Sequence, residues 1–524
     1  MHSQTCKMFA FLKLCLVISG ANAANILGVV LTPSYSHQIV FKPLWRELSL
    51  RGHQVTTITT HPIKDPKLVN LTEIDLSFFL RDSDSEQFIK KHIEVSHTNF
   101  VDALRDLYNT MSRAADHMLD YGPVKELIND QNAHFDLLIV EYLLHIPLAF
   151  AHRFNCPSIG MLSVDGTNSI YKKVGNPTHS SLYPDSFLPY GNKLSLSERV
   201  ISFVYNFVLE PYIENELTEI QQKIVTKHFG GDCPPIQDLA SNISMLFVDS
   251  DPIFHHNRPL VPAVVQIGGG SHRSSPKPLP KDLQLVLDKA TNGFIYFSLG
   301  SNMRSEFLPA NTVDMILEVF GELPYTVLWK FGEEISNKPS NVIISKWLPQ
   351  QDVLRHPNIK LFITQGGLQS MDEAIYSYVP MIGIPFFGDQ SYNVKKLVNK
   401  GLGLELNYRT LERKQFKETI LEVINNPSYR NTIKKLAELA QDQPMSGTEK
   451  AVWWTEYVLR HKGAKHLRSP LLDIPWYQYL LIDVIGVLLL SLSVTLFLIM
   501  FAIRTLVRLA KRKLFVIPEE KKSS

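Results

Sequence analysis

A histidine placed just past a buried first strand is the group in this 524-residue chain best suited to take a proton. His37 follows the apolar run Asn25–Leu31 and the loop Thr32–Ser36, and imidazole titrates near neutrality, where a general base works best. Position singles it out among 18 histidines, most of them surface or core residues. A second constellation lies between Trp347 and Gln390. Ile359–Thr364 is an apolar run of strand length, Gln365-Gly366-Gly367 makes a tight turn, and Leu368–Tyr378 reads as a helix. Unpaired amides at a helix start, approached through glycines, form an anion site suited to a phosphate. Ser301, in the turn Ser298–Ser301, and Ser370 are further donors. Trp347 offers an aromatic face to a flat ring, and Gln350 an amide edge. Glu373, about two turns into the helix, can accept two vicinal hydroxyls. Taken alone, Trp347 reads as a core tryptophan and Glu373 as a surface glutamate. Asp389-Gln390 pairs a carboxylate with an amide beyond the strand Met381–Pro385 and suits neighbouring hydroxyls; a turn aspartate after Gly388 is the plain alternative.

Two stretches of alternating strands and helices position these residues. The first, from about Asn25 to Ile267, has strands at Asn25–Leu31, Val55–Thr60, Phe135–Glu141 and Ser158–Leu162, with helices at His37–Arg51 and His145–Phe154. Leu188–Phe229 is largely helical and aromatic (Phe203, Tyr205, Phe207, Tyr212). Core packing is its expected role, with an acceptor-pocket wall or membrane contact as the sharper one. Gly268–Pro280, dense in Gly, Ser and Pro, marks a boundary. The second stretch, from about Lys281, has strands at Gly293–Leu299, Tyr325–Trp329, Val342–Ser345, Lys360–Thr364 and Met381–Pro385, and a closing helix around Glu449–His461 that should pack back on the assembly. Such alternation implies parallel, doubly wound sheets with ligands at the carboxyl ends of the strands.

In this order, Trp347, Gln350, the turn Phe362-Ile363-Thr364-Gln365-Gly366-Gly367, Ser370, Glu373 and Pro385-Phe386-Phe387-Gly388-Asp389-Gln390 resemble the signature of the UDP-glycosyltransferases, most of all the membrane-anchored insect branch. The resemblance implies a GT-B fold, an α/β architecture of two Rossmann-like domains facing a cleft. Residues 24–267 would bind the acceptor, 268–280 link, and 281–465 bind the UDP-sugar. It implies that Trp347, Gln350 and Glu373 hold the uridine, that Ser301, Gln365, Gly366, Gly367 and Ser370 hold the diphosphate, and that Asp389 and Gln390 hold the sugar. His37 matches the catalytic histidine, with its partner carboxylate after the "FD" strand. The family usually has aspartate there; this chain has Glu141. Most members have histidine where this chain has Gln365, which donates a hydrogen bond but carries no charge. The activity implied is inverting transfer of a hexose, glucose being expected, to a hydroxyl of a small lipophilic acceptor such as a xenobiotic, flavonoid or steroid-like compound. Glucuronosyl transfer and non-catalytic UDP-sugar binding alongside active relatives are the competing readings. Neither cofactor nor metal is implied, and Asp82-Ser83-Asp84 and Asp249-Ser250-Asp251 lie far from the signature in sequence.

Composition agrees with a lumenal, membrane-tethered body. The charge is +2, which gives no argument for nucleic-acid binding, and hydrophobic content is 45%. Lys7, the apolar Met8–Ile18 and Ala21-Asn22-Ala23 read as a signal peptide over 1–23. Val484–Ile503 carries no charge over twenty residues, about 30 Å of helix, the thickness of a hydrocarbon core. Trp476, Tyr477 and Tyr479 precede it. Arg504, Arg508, Lys511, Arg512 and Lys513 follow, so the tail 504–524 belongs in the cytoplasm. Lys521-Lys522 resembles an endoplasmic-reticulum retrieval signal. The sequons Asn70-Leu71-Thr72 and Asn242-Ile243-Ser244 fit a lumenal body. Of four cysteines, Cys6 and Cys15 fall in the leader, while Cys156 and Cys233 are either free or a single bridge. A homo- or hetero-oligomer is compatible with the sequence.

Overall fold

The computed structural model describes residues 23–81, 100–191, 193–255, 257–301 and 303–514. The signal peptide up to Asn22, Asp82-Ser83-Asp84 and Lys521-Lys522 lie outside the described residues. The chain divides into two compact units, Met1–Ser469 and Pro470–Ser524.

The larger unit holds two parallel sheets. The first has seven strands: β1 (Asn25–Val30), β2 (Gln54–Thr59), β3 (Leu71–Asp75), β4 (Leu137–Glu141), β5 (Ser158–Met161), β6 (Met245–Val248) and β7 (Val264–Gln266), in the order β3-β2-β1-β4-β5-β6-β7. The second has six: β8 (Phe294–Ser298), β9 (Thr326–Lys330), β10 (Val342–Ser345), β11 (Ile359–Thr364), β12 (Met381–Gly383) and β13 (Gly403–Glu405), in the order β10-β9-β8-β11-β12-β13. Helices cover both faces, so central strands such as β4 and β8 are buried at every position and read as continuous apolar runs. The strand order reverses between β1 and β4 in the first sheet and between β8 and β11 in the second, and crevices open at such points.

The helix expected over His37–Arg51 is broken into α1 (Tyr35–Ile39) and α2 (Lys42–Leu50). Pro43 sits in the first turn of α2, where its ring opposes the carbonyl of Ile39, so one continuous helix cannot form. The stretch over Leu188–Phe229 resolves into helices Leu196–Val204 and Glu210–Phe229 joined by a π-helical turn, Tyr205–Leu209. Tyr205 is buried as expected, but Phe203, Phe207 and Tyr212 face solvent, so core packing does not account for them.

In the second half, α3 (Gln350–Leu354), α4 (Leu368–Ile375) and α5 (Gln390–Asn399) follow β10, β11 and β12. The closing helix α6 (Gly447–His461) starts at a Ser446/Glu449 capping box. It places Ala451, Val452 and Val458 in a core shared with Ile26, Phe41 and Met245 of the first half. Gly268–Pro280 is packed rather than loose: Arg273 lies 4.5 Å over the Tyr376 ring and Ser274 N donates to Gln351 Oε1 (2.8 Å).

In the smaller unit, α7 (Ile482–Leu514) runs 33 residues, about 50 Å, and includes the expected span. It is long and apolar enough to cross a membrane.

Candidate functional site

The carboxyl ends of β1 and β4 bring the first polar group together. α1 starts a few residues past β1 and carries His37; Glu141 is the last residue of β4. Their side chains meet, His37 Nδ1 lying 2.7 Å from Glu141 Oε1, with Glu141 only 2% exposed. Ser163, just beyond β5, donates to Glu141 Oε1 (2.9 Å) and lies 2.7 Å from His37 Nδ1. Burial alone would lower the imidazole pKa. The charge and hydrogen bond of Glu141 outweigh it, Asp389 adds to them, and the result is raised. With Nδ1–H held by the carboxylate, Nε2 keeps its lone pair for a proton.

The carboxyl ends of β8 and β11 supply the second group. Gly366 takes φ +87°, which a side chain would strain, and an added Cβ would strike Val394. Its amide does not point free, as the sequence suggested: it donates to Thr364 Oγ1 two residues back, at a long 3.3 Å that a charged oxygen can displace. Gly367 is the N-cap of α4. Gln365 is buried and receives a bond from Gln390 Nε2 at 3.2 Å. Gln390 Oε1 accepts from the backbone of Phe386 (2.8 Å) and Phe387 (3.2 Å). The Gln390 amide is thus bonded to Gln365 and to the Phe386–Phe387 backbone. Asp389 accepts from Asn393 Nδ2 (2.8 Å) and its carboxyl is raised by burial; its field reaches His37, so the two halves converge here. Ser301 follows β8 in a half-buried turn.

At the other end of the cleft Trp347 is 58% exposed, its ring under the Lys330 ammonium (4.5 Å) and edge-on to Tyr35 of the first half (5.5 Å). Gln350 does not offer a free amide edge. Its Nε2 donates to Ser370 Oγ (2.9 Å) and Glu373 Oε2 (2.7 Å), and its Oε1 accepts from Tyr296 (3.1 Å). Gln351 donates to the other Glu373 oxygen (2.9 Å). Both Glu373 oxygens are thus engaged, and diol hydroxyls would have to take the places of these amides.

Sequence reasoning missed Ser163, Tyr35, Lys330 and Gln351. Tyr35, two residues before His37, and Gln351, beside Gln350, could have been found by adjacency. Ser163 and Lys330 carry no local signal. Cys156 and Cys233 are both free. Asp249, remote from the signature in sequence, follows β6 and lies close to Asp372 of α4.

A family model described as "UDP-glucoronosyl and UDP-glucosyl transferase" matches residues 26–514. The chain belongs to this family. UDP-glycosyltransferase UGT5 of Dactylopius coccus is 35% identical over 504 residues, covering 95% of each chain. An ecdysteroid UDP-glucosyltransferase of Spodoptera littoralis nuclear polyhedrosis virus is 34% identical, covering 91% of this chain and 96% of its own. Among solved structures, the kitacinnamycin glycosyltransferase superposes with a TM-score of 0.55 at 18% identity, over 83% of this chain and 99% of that one, a likeness of fold. The UDP-glycosyltransferase described here thus has the GT-B architecture and moves a sugar from a UDP-sugar donor. The cleft between its two sheets is where the two polar groups meet.

Proposed function

We propose that this glycosyltransferase moves glucose from UDP-glucose to a hydroxyl of a small lipophilic acceptor, with inversion at the anomeric carbon. The observation that carries the reading is the His37–Glu141 pair, 2.7 Å apart and reached by the field of Asp389 from the other half. His37 Nε2 takes the acceptor proton while the acceptor oxygen forms its bond to C1. The C1–O bond to the diphosphate breaks, UDP leaves with the electron pair, and Glu141 stabilises the imidazolium. Ser301, Gln365, Gly366, Gly367 and Ser370 are the donors for the leaving diphosphate, a role worth about 3–4 kcal/mol per donor in well-studied sites. No metal is assigned to this step. Trp347 takes the uracil face once Lys330 moves aside, and Gln350 and Glu373 take the ribose. Asp389 faces the sugar, where its carboxylate accepts from hexose hydroxyls.

For the acceptor, a hollow in the first half is lined by Leu104, Tyr108, Phe187 and Ile213, and also by Leu143 and His145, which closely follow Glu141 in the chain. The apolar lining supports a lipophilic acceptor. Lys173, lowered to about 8 by burial, and Glu210, raised to about 8 by burial, give it a polar end. We place the protein in the endoplasmic-reticulum membrane through α7, body in the lumen, as a processed glycoprotein. Asn242 is the better glycan acceptor, because the Asn70 amide is already bonded to the Ser49 carbonyl (3.1 Å).

Incubating microsomes that carry the chain with UDP-glucose or UDP-glucuronate and a panel of phenolic and steroidal acceptors tests the reading. A β-glucoside made only from UDP-glucose is expected. Product from UDP-glucuronate alone, or from neither donor while UDP still binds, would overturn it.

A further inference from the structure

Away from the proton-transfer pair, polar side chains from three segments meet in the buried interior. Asp249 follows β6 and is fully buried; neither carboxylate oxygen has a hydrogen bond of normal geometry, the side-chain donor near it being Gln369. His272 comes from the Gly268–Pro280 segment; its side chain is completely covered and neither ring nitrogen is hydrogen-bonded, the nearest carboxylate oxygen being Glu373 Oε1 at 3.4 Å from Nε2. Asp372, on α4, is 1% exposed and leaves Oδ2 unpartnered. One candidate ligand atom from each lies within 4.8 Å of the others. Buried polar groups are almost always hydrogen-bonded, so five orphaned atoms at one spot need a partner. A second cluster, Asp116, Asp120 and His228, meets the same distance test, but Lys227 already occupies it, 2.8 and 2.7 Å from the two aspartates.

We propose that Asp249, His272 and Asp372 bind one divalent transition-metal cation of the zinc type. Two carboxylates balance its charge, and a neutral imidazole selects zinc over calcium and magnesium, which prefer all-oxygen shells. Tetrahedral zinc with bonds of about 2.0–2.1 Å sets its ligands about 3.3 Å apart, so ligand atoms that lie within 4.8 Å of one another must close by up to about 1.5 Å. The remaining position falls to water. The ion would join one residue of the first half, one of the connecting segment and one of the second half. Asp372 precedes Glu373, so the ion would fix the helix that carries the ribose-binding carboxylate without touching the reacting atoms. The proposal does not rest on the transfer mechanism.

The rival way to relieve the buried charge is protonation, since burial pushes Asp249 up to about 8. Full-length chain purified in detergent with a histidine-free tag, then exchanged into metal-free buffer, separates the two. About one zinc per chain by mass spectrometry is expected. Chelation should lower the thermal midpoint, and ZnCl2 should restore it where MgCl2 and CaCl2 do not. Asp249→Asn and His272→Gln should each abolish that response. The proposal is overturned by native chain that holds no metal and shows no zinc-dependent shift, by an equal response to CaCl2, or by a zinc response that persists in both variants. A shared proton would also show itself in an Asp249→Asn chain as stable as the native one. If both variants fail to fold, the metal content and metal response of the native chain decide.

Discussion

The two polar groups that face each other across the cleft are built on opposite principles. In the first half, one carboxylate and one hydroxyl converge on a single ring nitrogen, and the arrangement is complete before any ligand arrives. In the second half, the groups meant for the donor are bonded to one another: Gln350 and Gln351 to Glu373, Gln350 to Ser370, Gln390 to Gln365, Gly366 to Thr364. The difference follows from task. A base must hold one tautomer and one orientation at the moment of transfer. A nucleotide site is filled and emptied each turnover, and neutral amides that satisfy one another can exchange partners with ribose and phosphate oxygens at small net cost, because hydrogen bonds are traded rather than lost.

The contrast predicts the largest effect at His37. His37→Ala should lower kcat/KM on the order of 10²- to 10⁴-fold while UDP affinity, set in the other half, stays within twofold. Unchanged turnover would break the comparison at its root. Glu141→Gln should come next, because it removes the charge that holds the tautomer. Since Glu141 and Asp389 raise the His37 pKa, the acid limb of the kcat/KM profile should lie above the ordinary imidazole value of about 6.5. Activity should rise with pH through that limb as the base loses its proton. In Glu141→Gln the limb should move to lower pH while the plateau falls by at least tenfold; a limb that stays in place would show that another group is titrating.

Changes in the second half should be smaller and should appear in KM for the donor. Gln350→Ala removes an amide that a ribose must in any case displace or share, so donor KM should rise about fivefold, one hydrogen bond of about 1 kcal/mol, with kcat nearly constant. A fall in kcat with unchanged KM would show that the amide network acts in the transition state. Gln365→His sharpens the same point. An imidazolium would strengthen the hold on the leaving diphosphate, and a charge-assisted bond exceeds a neutral one by about 1 kcal/mol. kcat should rise a few-fold below pH 6.5 and converge on the native value above pH 8. No pH-dependent gain would mean that Gln365 does not face the diphosphate.

How much of this was legible in the sequence follows the same division. Strands at the sheet centres, β1, β4, β8 and β11, announce themselves as short apolar runs, since both faces are covered. The edge strands β3, β7 and β13 do not: Leu71–Asp75 has no fully buried residue, and Val264–Gln266 and Gly403–Glu405 are three residues long. β6 is central and as long as β5 and β10, which are legible, so its length does not explain why it is not. Pro43 carried the signal for the break between α1 and α2, at a spacing the helical periodicity overrode. His37 and the Gln365-Gly366-Gly367 turn are legible because strand ends are where a sheet presents chemistry. The engagement of Gln350 and Gln390 by their neighbours is not, since an amide reads the same whether it faces a ligand or a glutamate. The exposed Phe203, Phe207 and Tyr212 show the limit of composition: aromatic content signals burial only on average.

The finest test concerns Ser163, which lies 126 positions from His37 and which no spacing rule finds. Its hydroxyl contacts both members of the pair, and its carbonyl accepts a hydrogen bond from Gln369 of α4. It thereby joins the base to the helix that carries Glu373. Ser163→Ala removes the hydroxyl contacts and leaves the carbonyl in place. Because Glu141 remains to orient the ring, the loss should be about fivefold in kcat, one neutral hydrogen bond, with donor KM unchanged. The acid limb should also move slightly upward: a carboxylate oxygen that loses the Ser163 bond keeps more of its charge for the imidazolium, which raises the His37 pKa. A purely structural serine would lower kcat or stability without moving that limb. A limb displaced upward in Ser163→Ala and downward in Glu141→Gln would assign opposite roles to two groups that touch the same nitrogen.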